Sequence, residues 1–299
     1  MRALSNSRPP ELAKKRKKWW LGYLMILPGV LLFGTFTYYP FGKTILYSFA
    51  LTDQSAQFVK WVGLGNWTRI LGKSEMWQIL RTTLAFAGMN LVLTFGIAMV
   101  FALLCVKNGK GSRIYQTLFA LPMAIASSPA AAIWLFIYRQ DAGILNELLG
   151  THVAWIRETA TALPAVSIVT AWMHIGSSFI YLLVGFRNVP TELLEAATID
   201  GASSWQRAIR IMIPMASPQI FFVLFLNITS AFRSFAQIKL MTGGGPAGAT
   251  KTLIHEVYTE AMVNGRFMNA CVYALILFLL IFLTTRVQFL MEKRMVHYQ

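Results

Sequence analysis

The chain is poor in charge, and poorest in acid. Its 299 residues carry 12 aspartates and glutamates against 27 lysines and arginines, and only 13% of positions are charged. A soluble domain usually carries about 25%. The acids lie in the N-terminal tail or in loops, never at the centre of an apolar segment. That excludes an acid–base pair at membrane depth, and it excludes an ion-coupled secondary transporter, which needs inward-facing carboxylates within its spans. The four histidines, His152, His174, His255 and His297, are scattered without ligand spacing, so no metal site is expected. The two cysteines, Cys105 and Cys271, fall within or at the end of apolar segments and read as small hydrophobes rather than a disulfide. No G-x-x-x-x-G-K-[ST] phosphate loop occurs; "VKNGKGSR" is glycine-rich and basic but lacks that spacing. No cofactor is therefore expected on this chain, and any ATP hydrolysis belongs to another one.

What is abundant is apolar residue, at 56% of the chain with a mean hydropathy of +0.54. It comes in blocks near 21–41, 82–106, 116–138, 162–186, 218–241 and 267–290. Each is long enough for the roughly 20 residues a helix needs to cross hydrocarbon. The expectation is an all-α polytopic membrane protein with six transmembrane helices, interrupted or capped by Pro122, Pro129 and Pro164 in the third and fourth. The first block runs on through "FTYYPFGKTILYSF" without a small-x-small cleavage site, so it is read as a retained span. The chain divides into a basic tail at 1–20, one six-helix membrane domain over 21–290 and a short tail at 291–299.

The formal charge of +15 suggests nucleic acid until its distribution is considered. "RPPELAKKRKKWW" precedes the first span, and further basics follow the second, fourth and sixth. The intervening segments 42–81, 139–161 and 242–266 have acids nearly balancing bases. This positive-inside alternation places both termini in the cytoplasm and assigns the basic run to orientation against anionic lipid. The outward segment 42–81 holds Trp61, Trp67 and Trp77, suited to the membrane interface. The outward segment 139–161 reads as a short amphipathic helix and a turn, either a docking element or a cover over the bundle.

One inward loop is too structured for a connector. In "PTELLEAATIDGASSWQRAIRIMIPMASP", Thr191 can cap a helix whose first turn holds Glu192, and Leu194, Ala197 and Thr198 form its apolar stripe. Gly201 permits a sharp turn or a close approach. Ser203 or Ser204 starts a second helix with Trp205, Ile209 and Met212 along one face and Arg207 and Arg210 on another, and Pro214 and Pro218 mark re-entry into the membrane. The loop is either a rigid projection for a partner or an interfacial helix that merely ends the fourth span.

This loop resembles the EAA loop of binding-protein-dependent ABC importer permeases of the type I, MetI-like fold. The family pattern is E-A-A, three residues, G, nine residues, then I-x-L-P. Glu195, Ala196, Ala197, Gly201, Ile211 and Pro214 match it, with Ile213 where leucine is usual. The resemblance implies that 191–201 is a coupling helix in a groove of a cytoplasmic ATPase. Glu195 would make the polar contact, Ala196 and Ala197 would allow close approach, and Asp200 and Gly201 would lie at the elbow. "GSRIYQTLFALPMAIASSPAAAIWLFIY", "LMTGGGPAGATKTLIHEVYTEAM" and the ending "VQFLMEKRMVHYQ" are similar to the carbohydrate and glycerol-3-phosphate branch. The likeness implies a second homologous permease in a heterodimer, two ATP-binding subunits and an extracytoplasmic solute-binding protein, with no nucleic acid.

The fifth span is more polar than a lipid-facing helix. Asn227, Ser230, Arg233, Ser234 and Gln237 recur at helical spacing and form one stripe, apart from Phe221, Phe225 and Phe232. An arginine at mid-helix costs roughly 2.5–3.5 kcal/mol to insert, so Arg233 should face protein or water. The stripe either lines a translocation path or ties this chain to its partner. Many members of the family carry aspartate where Ser234 stands, which weakens any sugar carried over, while an arginine fork suits phosphate. Lys239 points off the stripe and should snorkel. His174 is a pore residue or a buried histidine satisfied by a carbonyl.

Overall fold

The computed structural model describes residues 10–53, 55–106 and 110–295. The extreme tails, and Lys107 to Gly109 of the "VKNGKGSR" turn, lie outside the described residues. The first span begins as α1 (Pro10–Phe33), passes through a π-turn at Gly34–Tyr38 and continues as α2 (Tyr39–Ser48). A small hairpin follows, β1 (Ala50–Thr52) against β2 (Phe58–Trp61), with Ala50 opposite Trp61. It departs from a purely helical expectation, and local chemistry explains it. The Asp53 carboxylate accepts from the Ser55 and Gln57 amides at 2.9 and 2.8 Å, closing the turn.

The chain then runs through α3 (Gly65–Leu71) into α4 (Ser74–Leu104), the second span. The third span is α5 (Lys110–Ala120), a 3-10 turn at Leu121–Ala124, and α6 (Ser127–Ile137). It is not one rod: the two halves are bent by 107°. Pro122 sits in the 3-10 turn, and Ile125 and Ala126 are extended, so the helical ladder stops there and restarts with Pro129 in the first turn of α6. Next come α7 (Ile144–Leu149) and α8 (Thr159–Arg187), the fourth span, which keeps Pro164 in its second turn. The loop helices α9 (Thr191–Ile199), α10 (Ser204–Arg207) and α11 (Ile213–Met215) lead to α12 (Ser217–Arg233) and α13 (Ala236–Met241). A loop carries α14 (Leu253–Tyr258), and α15 (Phe267–Met295) is the last span. Among the described residues five helical stretches are long and apolar enough to cross a membrane, and the bent pair, taken as one span, makes a sixth.

Packing centres on α4 and α8, with α12 laid across both. Ala98 and Ala102 of α4 are fully buried, and their small side chains admit Phe179, Leu182 and Phe186 of α8 and Val223 of α12. Between lipid-embedded helices such close van der Waals contact replaces the hydrophobic drive available in water. Gly176 makes the tightest crossing, because a Cβ there would lie 2.0 Å from the Phe119 carbonyl oxygen of α5. The bent third span can reach α8 only across a glycine. By contrast the first span's apolar window has no buried residue, and it meets the bundle through α2, where the Phe41 and Phe278 rings stand 5.0 Å apart.

Candidate functional site: the coupling loop and the fifth span

Between α8 and α12 the chain leaves the bundle and returns as two helices about a glycine. Pro190, not a side-chain cap, begins α9; it occupies the N-cap position in an extended conformation, which moves Thr191 inside the first turn. The expected Thr191 cap is therefore absent, and Glu192 in that first turn complements the positive end of the helix. The far end closes as a Schellman motif. The Ala202 amide donates to the Ala197 carbonyl at 2.9 Å and the Gly201 amide to that of Thr198 at 3.1 Å. Gly201 has φ of +80°, the left-handed region. A Cβ added there would meet nothing within 4 Å, so within this chain the glycine answers a backbone requirement rather than a close approach.

The second helix starts at Ser203 with a capping box. Ser203 Oγ accepts from the Gln206 amide at 3.2 Å, and Gln206 Oε1 accepts from the Ser203 amide at 2.7 Å. Arg207 turns back into the loop, donating to the Ala202 carbonyl at 2.7 Å and to Ser204 Oγ at 3.1 Å. A π-turn over Ala208–Met212 follows. Its wider winding shifts the helical phase, so Trp205, Ile209 and Met212 do not share one face. Trp205 is 70% exposed while Met212 is buried in the bundle core.

The loop thus has a seated side and a free side. Leu194 packs on the core between α4, α8 and α12, and Ala197, Ile211 and Pro214 are half-buried. Glu195, Ala196, Asp200 and Gly201 are exposed, together with two residues the hydropathy pattern did not single out as contacts: Ile199, 87% exposed, and Trp205. Two large apolar side chains held outward on a structured, non-spanning loop are a signal for a partner surface. At the same end Arg187 donates from Nη2 to the Cys105 carbonyl at 3.2 Å and to Ser112 Oγ at 3.3 Å, tying α8 to the end of α4.

The polar residues of the fifth span do not form a continuous helical stripe. The helix ends at Arg233, Ser234 is extended, and winding resumes at Ala236. Asn227 is buried and exchanges hydrogen bonds with Ser178 of α8, donating from Nδ2 at 3.0 Å and accepting at Oδ1 at 3.2 Å. Gln237 is also buried and donates to Met173 Sδ at 2.9 Å, while Ser234 Oγ donates to Gln237 Oε1 at 3.3 Å. Asn227 and Gln237 tie the fifth span to the fourth, and Ser234 braces Gln237 within the fifth. Ser230 is half-buried. Arg233 is exposed and has no hydrogen bond or ion pair within the described residues. Lys239 does not snorkel free; its Nζ lies 4.9 Å from the centre of the Tyr258 ring. The His174 ring is half-buried, and the carbonyl partner expected for it is not present among the described residues.

A cavity of about 860 Å³ opens beside Pro214, between α4, α12 and α15. Its walls are mainly apolar, with Phe95, Ile220, Phe221 and Leu283 among them, which offers little to a polyol or phosphate. At the opposite end of the bundle the chemistry is polar. Lys251 and Glu75 form an ion pair at 2.7 Å. The Glu260 carboxylate accepts from Asn264 and Asn269 at 2.7 and 2.6 Å, and Arg69 donates to Asn269 Oδ1 at 2.7 Å. Glu256 is buried with Oε2 unpartnered, and burial holds its carboxyl above the ordinary value. Burial likewise depresses the neighbouring His255.

A bundle of five spans and a sixth bent sharply at its middle, with a two-helix projection between the fourth and fifth, is the architecture of an ABC importer permease. The family profile for binding-protein-dependent transport system inner membrane components matches residues 94–297, and the chain belongs to that family. It is a multi-pass protein of the cytoplasmic membrane and a permease subunit of an ABC importer, a class that works with a solute-binding protein and ATPase subunits. Among its relatives is the sn-glycerol-3-phosphate transport system permease protein UgpA of Yersinia enterocolitica, 34% identical over 289 residues, covering 94% of this chain and 96% of the relative. The UgpA of Agrobacterium fabrum is 30% identical over 282 residues, covering 93% and 96%. Two solved structures share the fold. A bacterial ABC transporter for import of the acidic polysaccharide alginate has a TM-score of 0.84 at 22% identity, covering 96% of this chain and all of that one. A bacterial alginate ABC transporter in complex with its alginate pentasaccharide-bound periplasmic protein has a TM-score of 0.82 at 20% identity, covering 94% and 96%.

Proposed function

We propose that this chain forms half of the translocation path of an importer for sn-glycerol-3-phosphate. Residues 21–290 act as one permease domain with both termini in the cytoplasm, paired with a homologous permease, two ATP-binding subunits and an extracytoplasmic solute-binding protein. The observation that carries the solute is Arg233, exposed and unpaired at a break in the fifth span. A permanently charged, planar donor in that position is costly in lipid and well matched to phosphate oxygens. Relatives named for sn-glycerol-3-phosphate transport, at 30–34% identity over nearly the whole chain, support the same solute. Asn227, Ser234 and Gln237 brace the break, and with Ser230 they keep the path side of α12 and α13 in register.

The proposed coupling surface is the free side of the loop: Glu195, Ala196, Asp200 and Gly201 with Ile199 and Trp205, carried on Leu194, Ala197, Ile211 and Pro214. Support comes from exposure, because α9 has no buried residue although it is half apolar. The test is ATP-dependent uptake in vesicles by the assembled complex, with candidate binding proteins supplied singly. Arg233→Ala should impair sn-glycerol-3-phosphate uptake more than assembly, and Arg233→Lys should rescue only part, since lysine keeps the charge and loses the fork. Uptake of a neutral sugar with no phosphate-ester transport refutes the solute assignment. Cysteines at positions 2 and 297 should resist external labelling, and labelling of either refutes the topology.

A further inference from the structure

We infer that the loop between the third and fourth spans carries a preformed socket for an acidic side chain of the solute-binding protein. This rests on the topology proposed above, which puts 139–158 outside the cell. A pocket of about 480 Å³ lies between the end of α6 and the start of α8, with Tyr138, Arg139, Asp141, Ile156 and Arg157 in its wall. It is a built pocket rather than a gap between mobile strands. Asn146, buried in the short helix α7, donates to the carbonyls of Arg139, Gln140 and Val153 at 3.4, 3.0 and 2.9 Å. Its Oδ1 accepts from Thr151 Oγ1 at 3.0 Å and from Trp155 Nε1 at 2.8 Å. One amide therefore holds both walls, and every atom of it that can bond does so. Gly143 lets the chain double back, because a Cβ there would lie 2.1 Å from the Arg139 carbonyl oxygen.

The charge of the socket selects its occupant. Arg139 and Arg157 are exposed, and neither forms an ion pair among the described residues. Asp141 is the one acid in the wall, so the rim keeps a net positive charge. The Arg139 guanidinium lies 4.6 Å from the centre of the Phe136 ring, which helps hold the side chain in place. Two guanidinium forks on a rigid frame match a carboxylate and need little ordering to bind it. Deep in the wall, Tyr138 hydroxyl donates to the Ala165 carbonyl at 3.2 Å and is already committed. That leaves the rim arginines to do the recognition.

The test uses the complete importer in lipid nanodiscs, with purified binding protein saturated with solute as the probe and ATP hydrolysis as the readout. Arg139→Glu with Arg157→Glu should raise the binding-protein concentration for half-maximal stimulation by at least about tenfold, the loss expected for a charge-assisted contact. Basal hydrolysis and the maximal rate should not change. Ala142→Trp, which narrows the mouth and keeps the charges, should raise the same concentration. Added salt should weaken docking of the wild type and not of the double variant. An unchanged half-maximal concentration in both variants overturns the proposal. So does a variant that shifts the dependence on free solute alone, which would make the pocket a solute site. A cysteine at position 140 that resists external labelling, or a wild type that no binding protein stimulates, would instead fault the topology or the importer assignment on which the socket rests.

Discussion

Arg187 at the end of α8 donates from Nη2 to the Cys105 carbonyl beyond α4, at 3.2 Å, and from Nε to that of Val106 at 3.4 Å. The last carbonyls of a helix have no partner in their own ladder, and the helix dipole leaves them negative. One guanidinium therefore ties the end of α8 to the carbonyls just past the end of α4, the two helices that form the bundle's spine. Arg187→Ala should lower stability by about 1–3 kcal/mol, read as a fall in the melting temperature of the detergent-solubilised complex. Arg187→Lys should recover part of it. Equal melting of all three proteins would mean that the contact contributes nothing.

Gly201 should respond to backbone geometry and not to side-chain volume. Its φ of +80° costs a branched residue about 1–2 kcal/mol, while open space around it leaves room for any side chain within this chain. Gly201→Val should reduce solute-stimulated ATP hydrolysis and uptake while the permease pair still assembles. Gly201→Asn, which tolerates the left-handed region, should retain more of both. Glu195→Lys should uncouple hydrolysis from uptake through reversed charge without disturbing the fold, because Glu195 is exposed. Full coupling in Gly201→Val and Glu195→Lys would remove the coupling assignment.

At Gly176 the limit is space. A Cβ 2.0 Å from the Phe119 carbonyl and 3.0 Å from Met123 Cγ cannot be accommodated without moving the third span. Gly176→Ala should cost about 1–3 kcal/mol as overpacking and lower the yield of folded protein in membranes. Gly88→Ala is the control, because nothing lies within 4 Å of a Cβ at that position. If the two substitutions behave alike, α5 does not cross α8 as closely as described.

Glu256 predicts a pH dependence at the end of the bundle opposite the 190–214 loop. Burial holds its carboxyl above the 4.5 of a free carboxyl, with Lys251 opposing that rise and Glu260 and Glu75 adding to it. A carboxyl raised in the folded state binds its proton more tightly there than when unfolded. Its contribution to stability is full below the ordinary carboxyl range and is lost as pH rises through the raised value. Glu256 should therefore lower the melting temperature as pH rises above the ordinary carboxyl range, against the gain from His255, whose depressed value makes its contribution grow with pH. Glu256→Gln should flatten the fall and raise stability at neutral pH. A steeper slope in the variant would show that the carboxylate is stabilised as an anion.

The spans and the loop at 190–214 were legible in the sequence because their causes are local. Hydropathy over about 20 residues decides what enters lipid. A glycine with helix formers on one side and Ser203 with Gln206 on the other decides where a helix turns and restarts. The same local logic gave a short helix and a turn within 139–161, and the structure puts them at α7 and at Gly150, which is left-handed at φ of +63°. Where the reading required helical phase to persist, it failed. The π-turn at Ala208–Met212 separated Trp205 from Met212, and the break at Ser234 divided a stripe that an unbroken helix would have kept together.

Other features depended on what lies across from a residue. The close crossing of the third span against α8 needs the bare backbone of Gly176 beside it. Burial of Asn227 needs Ser178, forty-nine positions away in the chain. The exposure of Arg233 and Ile199, and the gathering of Arg139 and Arg157 around Asn146, follow from the packing of whole helices. Composition and spacing decided which segments are helices and which enter the membrane. Only tertiary contact decided which polar side chains are spent on holding the bundle together and which remain for another molecule, because a hydrogen bond used inside the chain and one left open outside it look the same in a string of residues.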